Sequence, residues 1–144
     1  MIRIICVGKV KEKFYRDAID EYMKRLSKYH KIVIDEVSDS NIKEEGDLIL
    51  RRIQDKDYLV VLDIKGKEMD SIEFSRFMDT SLMHYANITF VIGGSNGVDD
   101  RIKNCANERI SFSKITFPHQ LFRIILLEQI YRGFRILSNE SYHK

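Results

Sequence analysis

The chain has 144 residues, of which 44 % are hydrophobic and 32 % charged, and its formal net charge is +2. This length suits a single domain over residues 1–144, and the composition excludes a disordered, collagen-like or linker-rich chain. Because no apolar run approaches the roughly 20 residues that cross a bilayer, and residues 1–14 lack the features of a secretory signal, we expect a cytoplasmic protein without a membrane partner.

The first half of the chain alternates between predicted strands and helices. Residues 2–7 (IRIICV) form a β-branched run that is typical of a strand. Apolar residues then recur every three or four positions over residues 15–29, as in an amphipathic helix. A second strand is predicted at residues 32–37 (IVIDEV), and a weaker helix at residues 42–53.

The middle of the chain contains the most apolar predicted strand. Residues 58–64 (YLVVLDI) are nearly all apolar, as expected of a strand that is covered on both faces. Lys65-Gly66-Lys67 is predicted to end this strand. Asp70 and Glu73 have the spacing of a capping box, which predicts that a helix begins at this point and continues to about residue 82.

The last third continues the alternation. Strands are predicted at residues 88–92 and 110–113, and helices at residues 99–107 and 119–137. The last of these helices is apolar over much of its circumference, which fits a central core helix, a subunit interface, or both. Strands that alternate with helices throughout a chain indicate an α/β fold with a mostly parallel sheet flanked by helices.

Three strand ends could approach a ligand, because ligands of open α/β sheets bind outside the carboxyl ends of the strands. They are residues 62–66, 92–97 and 112–119. The glycine loop at residues 93–97 (GGSNG) matches neither a dinucleotide-binding nor a nucleoside triphosphate-binding motif, which disfavours both ligands. From its sequence the loop is either a tight turn or a ligand-binding loop.

The sequence gives only weak indications of a metal site, of reactive cysteines or of a catalytic C-terminus. The four histidines are far apart in sequence and no cysteines are closely spaced, so no metal site is predicted. Cys6 and Cys105 are predicted to be buried, reduced thiols. The C-terminal Tyr142 and His143 either belong to a frayed end or close over a substrate.

The charge is uneven along the chain. Residues 1–37 carry a formal charge of +3, residues 38–100 carry −6 and residues 101–144 carry +5. A polyanionic partner would be attracted to any face that the two basic ends share, while ordinary scatter of surface charge gives the same totals.

Six motifs occur in one order along the chain: V-G-K-V-K-E-K-F, L-D-I-K-G-K, F-V-I-G-G-S-N-G, I-S-F-S-K-I-T-F-P-H-Q, L-L-E-Q-I-Y-R-G-F-R-I-L and S-Y-H-K. In these motifs the chain resembles the ribosomal RNA large subunit methyltransferase H family of small SPOUT-class enzymes, over essentially its whole length. The resemblance implies an α/β fold with a C-terminal trefoil knot and a homodimer. It also implies methylation of N3 of a pseudouridine in the 23S rRNA of the assembled bacterial ribosome, with S-adenosyl-L-methionine as the methyl donor.

The resemblance also implies site residues. Those that would bind S-adenosyl-L-methionine are Leu62, Gly93, Phe112, Ser113, Lys114, Ile115, Thr116 and Phe117. His143 and Tyr142 would be the catalytic pair, with His143 helping to remove the N3 proton or orient the base. Arg123 and Arg132 would contact the RNA substrate.

The chain departs from this family at residues 38–45, where the resemblance implies a longer polar segment. A ribosome contact made by that segment would be altered in this chain. Two other classes stay open from the sequence. One is a non-catalytic RNA- or ribosome-binding module on the same scaffold, and the other is a flavodoxin-like nucleotide-binding enzyme.

Overall fold

Five strands form one sheet in the computed structural model, which describes residues 1–144. The strands are β1 (Ile2–Val7), β2 (Ile32–Val37), β3 (Asp57–Glu68), β4 (Asn87–Ile92) and β5 (Glu108–Ser111). They lie in the order β2-β1-β4-β3-β5, and every neighbouring pair is parallel. The predicted α/β class with a mostly parallel sheet is confirmed.

Helices connect the strands and cover both faces of the sheet. They are α1 (Lys13–Leu26), α2 (Ile42–Arg52), α3 (Ser71–His84), α4 (Asp100–Cys105) and α5 (His119–Leu137). Parallel strands need crossover connections of this kind. Buried side chains of α1, α3 and α5 share one apolar core, and those of α2 and α4 share a second.

The two cores arise from the alternation of side chains along each strand. On β1, Ile4 packs in the first core and Ile5 in the second. On β3, Val60 and Val61 divide in the same way. Successive side chains of a strand point to opposite faces of the sheet, so a strand that is apolar at every position must be covered on both sides.

Helix ends follow local capping chemistry. The Asp70 carboxylate accepts a hydrogen bond from the Glu73 amide (2.8 Å), and the Glu73 carboxylate accepts one from the Asp70 amide (3.1 Å). The predicted capping box is therefore confirmed, and α3 begins at Ser71. Asn41 caps α2 through its side-chain oxygen, which accepts from the Glu44 amide.

Strand β3 is longer than predicted. Lys65-Gly66-Lys67 does not end it, because pairing with β5 resumes at Lys67 opposite Ile110 after an irregularity that follows Leu62. Gly66 lies so close to β5 that a Cβ atom there would be 2.6 Å from the carbonyl carbon of Arg109. Its missing side chain allows the two strands to stay paired.

The two cysteines differ in exposure. Cys6 of β1 is buried, and burial raises the pKa of its thiol to about 12. Cys105 is exposed at the end of α4, contrary to the prediction that both would be buried. Its helix is six residues long and buries only Ile102, so its last residue is left facing solvent.

The sequence placed Arg123 among the substrate contacts, but the side chain is 2 % exposed and lies in the protein interior. Its guanidinium forms an ion pair with Glu36 and donates to the Gly8 carbonyl at 3.1 Å. These two interactions of the guanidinium link α5 to the ends of β1 and β2. A phosphate cannot reach the guanidinium there, so Arg123 has a structural role.

We expect Arg123→Ala to lower the free energy of unfolding by about 2–4 kcal/mol, because it leaves a cavity and removes the hydrogen bond to Gly8. Glu36 is partly exposed, so its carboxylate recovers water in the variant and the loss stays below that of a fully buried pair. Urea denaturation measures the change. Arg123→Lys should recover part of it, and equal stability of Arg123→Ala and the unaltered protein would contradict the assignment.

Candidate active site

One cavity of about 400 Å³ opens at the carboxyl edge of the sheet, within the roughly 300–1,000 Å³ of small-ligand pockets. It is bounded by the ends of β3, β4 and β5 and by the start of α5. Seven of the eight predicted donor-binding residues line it, namely Leu62, Gly93, Phe112, Ser113, Ile115, Thr116 and Phe117. Three segments that are far apart in sequence therefore meet around one space.

Lys114 is the predicted donor-binding residue that does not line this cavity. Its side chain is exposed and lines an adjacent recess with Ile64, Lys65, Gly66 and Glu68. The chain bends at Lys114, and Ser113 and Lys114 face different spaces.

The glycine loop after β4 forms the first wall and is also a tight turn. Gly97 has a φ of +83°, and its amide donates to the Gly94 carbonyl at 3.0 Å. A Cβ atom on Gly93 would lie 2.5 Å from the Gly97 carbonyl oxygen. The loop can close in this shape only with glycine at residue 93.

The segment after β5 forms the second wall. Phe112 packs against Phe74 of α3 and Phe122 of α5, with ring centroids 5.3 and 5.5 Å apart, which fixes the segment to the core. The Ser113 hydroxyl accepts from the Ile115 amide at 3.0 Å. Ile115 itself is 68 % exposed. A ligand with an apolar face in the cavity could therefore pack against the exposed Ile115 side chain.

The third wall is the irregular stretch of β3, and it contains polar residues that the sequence did not single out. Asp63 lines the cavity beside Leu62, and its carboxylate accepts from the Lys65 amide at 3.1 Å. Lys103 of α4 also lines the cavity and lies 3.8 Å from the Asp63 carboxylate. Asp63 was recognisable as the residue after Leu62 in the L-D-I-K-G-K motif, whereas Lys103 belongs to no motif.

His119 lines the cavity at the start of α5, close to Gly8. Behind it, Glu45 of α2 is 2 % exposed and accepts from the Ser40 amide at 2.9 Å. Burial raises the pKa of the Glu45 carboxyl above its usual value, and the neighbouring Asp39 adds to this rise, while the Ser40 hydrogen bond and His119 oppose it. A carboxyl group thus supports the cavity wall from within the protein.

We expect Glu45→Gln to stabilise the protein at neutral pH. With a raised pKa, the folded state keeps a proton that the unfolded state releases near pH 4.5, so stability falls as the pH rises from there through the folded-state pKa. The uncharged amide removes this loss and keeps an oxygen for Ser40. Urea denaturation of the variant and of the unaltered protein at pH 5 and pH 7.5 is the measurement. A variant that is less stable than the unaltered protein by the same amount at both pH values would contradict the expectation.

The C-terminal segment is ordered against α5 rather than frayed. The Tyr142 hydroxyl donates to the Glu128 carboxylate at 3.2 Å, and its ring packs edge-on against Tyr131. His143 Nδ1 lies 3.1 Å from a guanidinium nitrogen of Arg132, which also pairs with Glu128. Burial, with help from Glu128, raises the pKa of Tyr142, so its hydroxyl keeps its proton at neutral pH.

A single chain does not bring His143 to the cavity. Neither His143, Tyr142 nor Arg132 lines it. Arg132 is thirteen residues beyond His119 on α5, which corresponds to about 20 Å along a helix. The predicted catalytic pair and the predicted donor site therefore occupy different places on one chain.

No helix of this chain combines the length and the apolar character that crossing a bilayer requires.

The chain is similar to known proteins over almost its whole length. The family described as predicted SPOUT methyltransferase matches residues 1–143. The chain is 50 % identical to a ribosomal RNA large subunit methyltransferase H of Clostridium tetani (strain Massachusetts / E88), over 99 % of each chain. It is 52 % identical to proteins with the same name from Clostridium botulinum strains Langeland and Kyoto, again over 99 % of each chain.

These alignments extend over 157 positions, compared with 144 residues in this chain. The chain is thus shorter than these relatives.

Proposed function

This chain belongs to the SPOUT methyltransferase family, and from that premise we propose that it methylates N3 of a pseudouridine in the 23S rRNA of the assembled bacterial ribosome, with S-adenosyl-L-methionine as donor. The relatives that are 50–52 % identical are named as methyltransferases of large-subunit rRNA, which supports this substrate class. The observation that carries the proposal is the convergence of three strand ends on one cavity.

The cavity fits an adenosine-containing donor. Its volume suits a small ligand, and nine of its twenty lining residues are hydrophobic. We assign the faces of the adenine ring to Leu62, Ile115 and Phe117, and its polar edge to backbone groups of residues 112–117. Gly93 supplies the loop at the other side of the donor. Lys114 would act through its backbone alone, since its side chain faces the adjacent recess.

The bound donor supplies a methyl group that is already activated on a sulfonium. The residues of the chain therefore have to position the acceptor and remove its proton. N3 of the base carries a proton, and its lone pair can attack the methyl carbon only as that proton leaves. We assign proton removal to His143. Its Nδ1 lone pair faces the Arg132 guanidinium, which can only donate, so the ring has to turn away from Arg132 before Nδ1 accepts the N3 proton. Tyr142 keeps its own proton and donates it to Glu128, so its oxygen is left to orient the base as a hydrogen-bond acceptor.

A homodimer would complete the site. In one chain the cavity and His143 are apart, so the proposed chemistry requires the C-terminal residues of a second copy at the mouth of the cavity. Arg132 would come from the same copy as His143, since the two are in contact. Arg132 is thus our assigned substrate contact, in place of the buried Arg123. The trefoil knot that the family resemblance implies stays a prediction.

A ribosomal substrate implies that the protein works in the cytoplasm, where ribosomes are.

The direct test of the proposed methyl transfer uses labelled S-adenosyl-L-methionine and ribosomes from a strain that lacks the modification. We expect one methyl group to be transferred to N3 of one pseudouridine. Donor binding without transfer would instead identify a non-catalytic ribosome-binding module, and bound flavin or nucleotide in place of the donor would identify a different enzyme.

A further inference from the structure

A strongly basic recess lies beside the cavity. It has a volume of about 440 Å³, and its basic lining side chains are Lys65, Lys67, Lys103 and Arg109. Asn104, Asn107 and Glu108 add polar groups, and Ala106 is its one hydrophobic lining residue. We call the surface formed by these residues the basic groove.

The positive charge of the basic groove is not neutralised within the protein. Lys65, Lys67 and Arg109 form no ion pair, and Lys103 reaches Asp63 only at 3.8 Å. Glu108 is the single acidic lining residue. Glu108 and the Asp63 carboxylate beside Lys103 together offset two of the four cations, so the groove keeps an excess positive charge that attracts a polyanion.

The cations are held on a rigid frame. Lys67 pairs with Ile110 across the resumed β3–β5 ladder, and Gly66 packs directly on the Arg109 backbone. The amide of Lys65 is fixed by the Asp63 carboxylate at 3.1 Å. The backbone positions that carry Lys65, Lys67 and Arg109 are therefore fixed by the sheet rather than by a mobile loop, which suits a ligand whose phosphates repeat at a regular spacing.

The basic groove is continuous with the cavity. Lys103 lines both spaces. Ile64 lines the cavity and also the adjacent recess, where Lys114 adds a further cation beside Lys65. A chain of phosphates lying in the groove would thus lead directly to the place where the methyl donor is proposed to bind.

We propose that the basic groove binds the phosphate backbone of the rRNA strand next to the acceptor nucleotide. This inference rests on the proposed function and names the surface through which that function reaches its substrate. A protein partner fits the groove less well, because protein interfaces centre on aromatic or aliphatic anchors in apolar pockets, and Ala106 offers none. Backbone phosphates need only cations at fixed positions.

The test reverses three charges: Lys65→Glu, Lys67→Glu and Arg109→Glu. Lys103 is left unchanged because it also lines the cavity. We expect ribosome binding to weaken about tenfold or more near 0.1 M salt, and the slope of log affinity against log salt to fall by about 2–3, since each phosphate contact contributes about 0.7–0.9. Donor affinity by calorimetry should stay within about twofold, which also verifies folding.

A matched control reverses three exposed cations near the amino ends of the strands, just before β2, near the end of α2 and just before β3: Lys31→Glu, Arg51→Glu and Lys56→Glu. The same charge change there should leave most of the salt slope in place. If both triple variants lose affinity equally, or if the groove variant keeps the affinity and slope of the unaltered protein, the groove is not the RNA-binding surface. If the unaltered protein transfers no methyl group to ribosomes, the proposed function fails instead.

Cys105, exposed next to Asn104, can carry a photo-crosslinker that distinguishes RNA from protein partners. Cys6 is buried with a raised pKa, so labelling should be confined to Cys105. On ribosomes we expect crosslinks to rRNA. Crosslinks to ribosomal proteins alone would assign the basic groove to a protein contact and overturn the proposal.

Discussion

Gly93→Ala should weaken binding of S-adenosyl-L-methionine about 10- to 100-fold, because the added methyl group cannot be accommodated in the loop after β4. Its Cβ would lie 2.5 Å from the Gly97 carbonyl oxygen and 2.8 Å from a methyl group of Val98, so the loop must move. That loop is one wall of the cavity. Calorimetric titration of the donor measures the loss, and far-UV circular dichroism checks that the sheet and helices remain.

Gly133→Ala is the matched control for this prediction. Gly133 lies on α5, and a Cβ atom there would meet the end of the flexible Met78 side chain. That side chain can move aside, and the site is not part of the cavity wall. Donor affinity should therefore be unchanged in the control. Equal affinities of Gly93→Ala and the unaltered protein would remove the glycine loop from the donor site.

His143→Ala should lower the rate of methyl transfer about 10²- to 10⁴-fold at saturating donor and ribosomes, which is the usual contribution of a positioned base. The donor site should be intact, so donor affinity should not change. His143→Gln keeps a polar contact with Arg132 but accepts no proton, and it should be as slow as His143→Ala. Single-turnover transfer of the labelled methyl group is the measurement, because it separates chemistry from product release.

His84→Ala is a suitable control, since His84 is exposed at the end of α3 and belongs to no part of the proposed site. It should transfer methyl groups at the unaltered rate. Full activity in His143→Ala would show that another group, or water, takes the N3 proton. Full activity in His143→Gln alone would mean that His143 positions the base and accepts no proton.

The fold was predictable where one local rule applied. The β-branched run of β1 and the nearly unbroken apolar run of β3 indicate a sheet covered on both faces, and the structure has one. The capping-box spacing of Asp70 and Glu73 correctly predicted where α3 begins. The extension of β3 to Glu68 was not predictable, because it depends on the contact of Gly66 with Arg109, more than forty residues away.

Part of the candidate site was likewise predictable from the sequence, and part was not. Strand ends marked the cavity, because parallel strands bring their carboxyl ends to one edge of the sheet. The family resemblance implied that Arg123 contacts the substrate, while its burial beside Glu36 is a tertiary property that the sequence does not express. The contacts of the C-terminal residues were also hidden, since His143 meets Arg132 and Tyr142 meets Glu128 only when the chain folds back along α5.

The most direct test of the donor site is a crystal structure of the protein with S-adenosyl-L-homocysteine, the demethylated form of the donor. We predict that its adenine lies between Leu62, Ile115 and Phe117, with the rest of the molecule beside Gly93. Adenine density at any other place on the chain, with this cavity left open, would contradict the assignment of the three strand ends to the methyl donor.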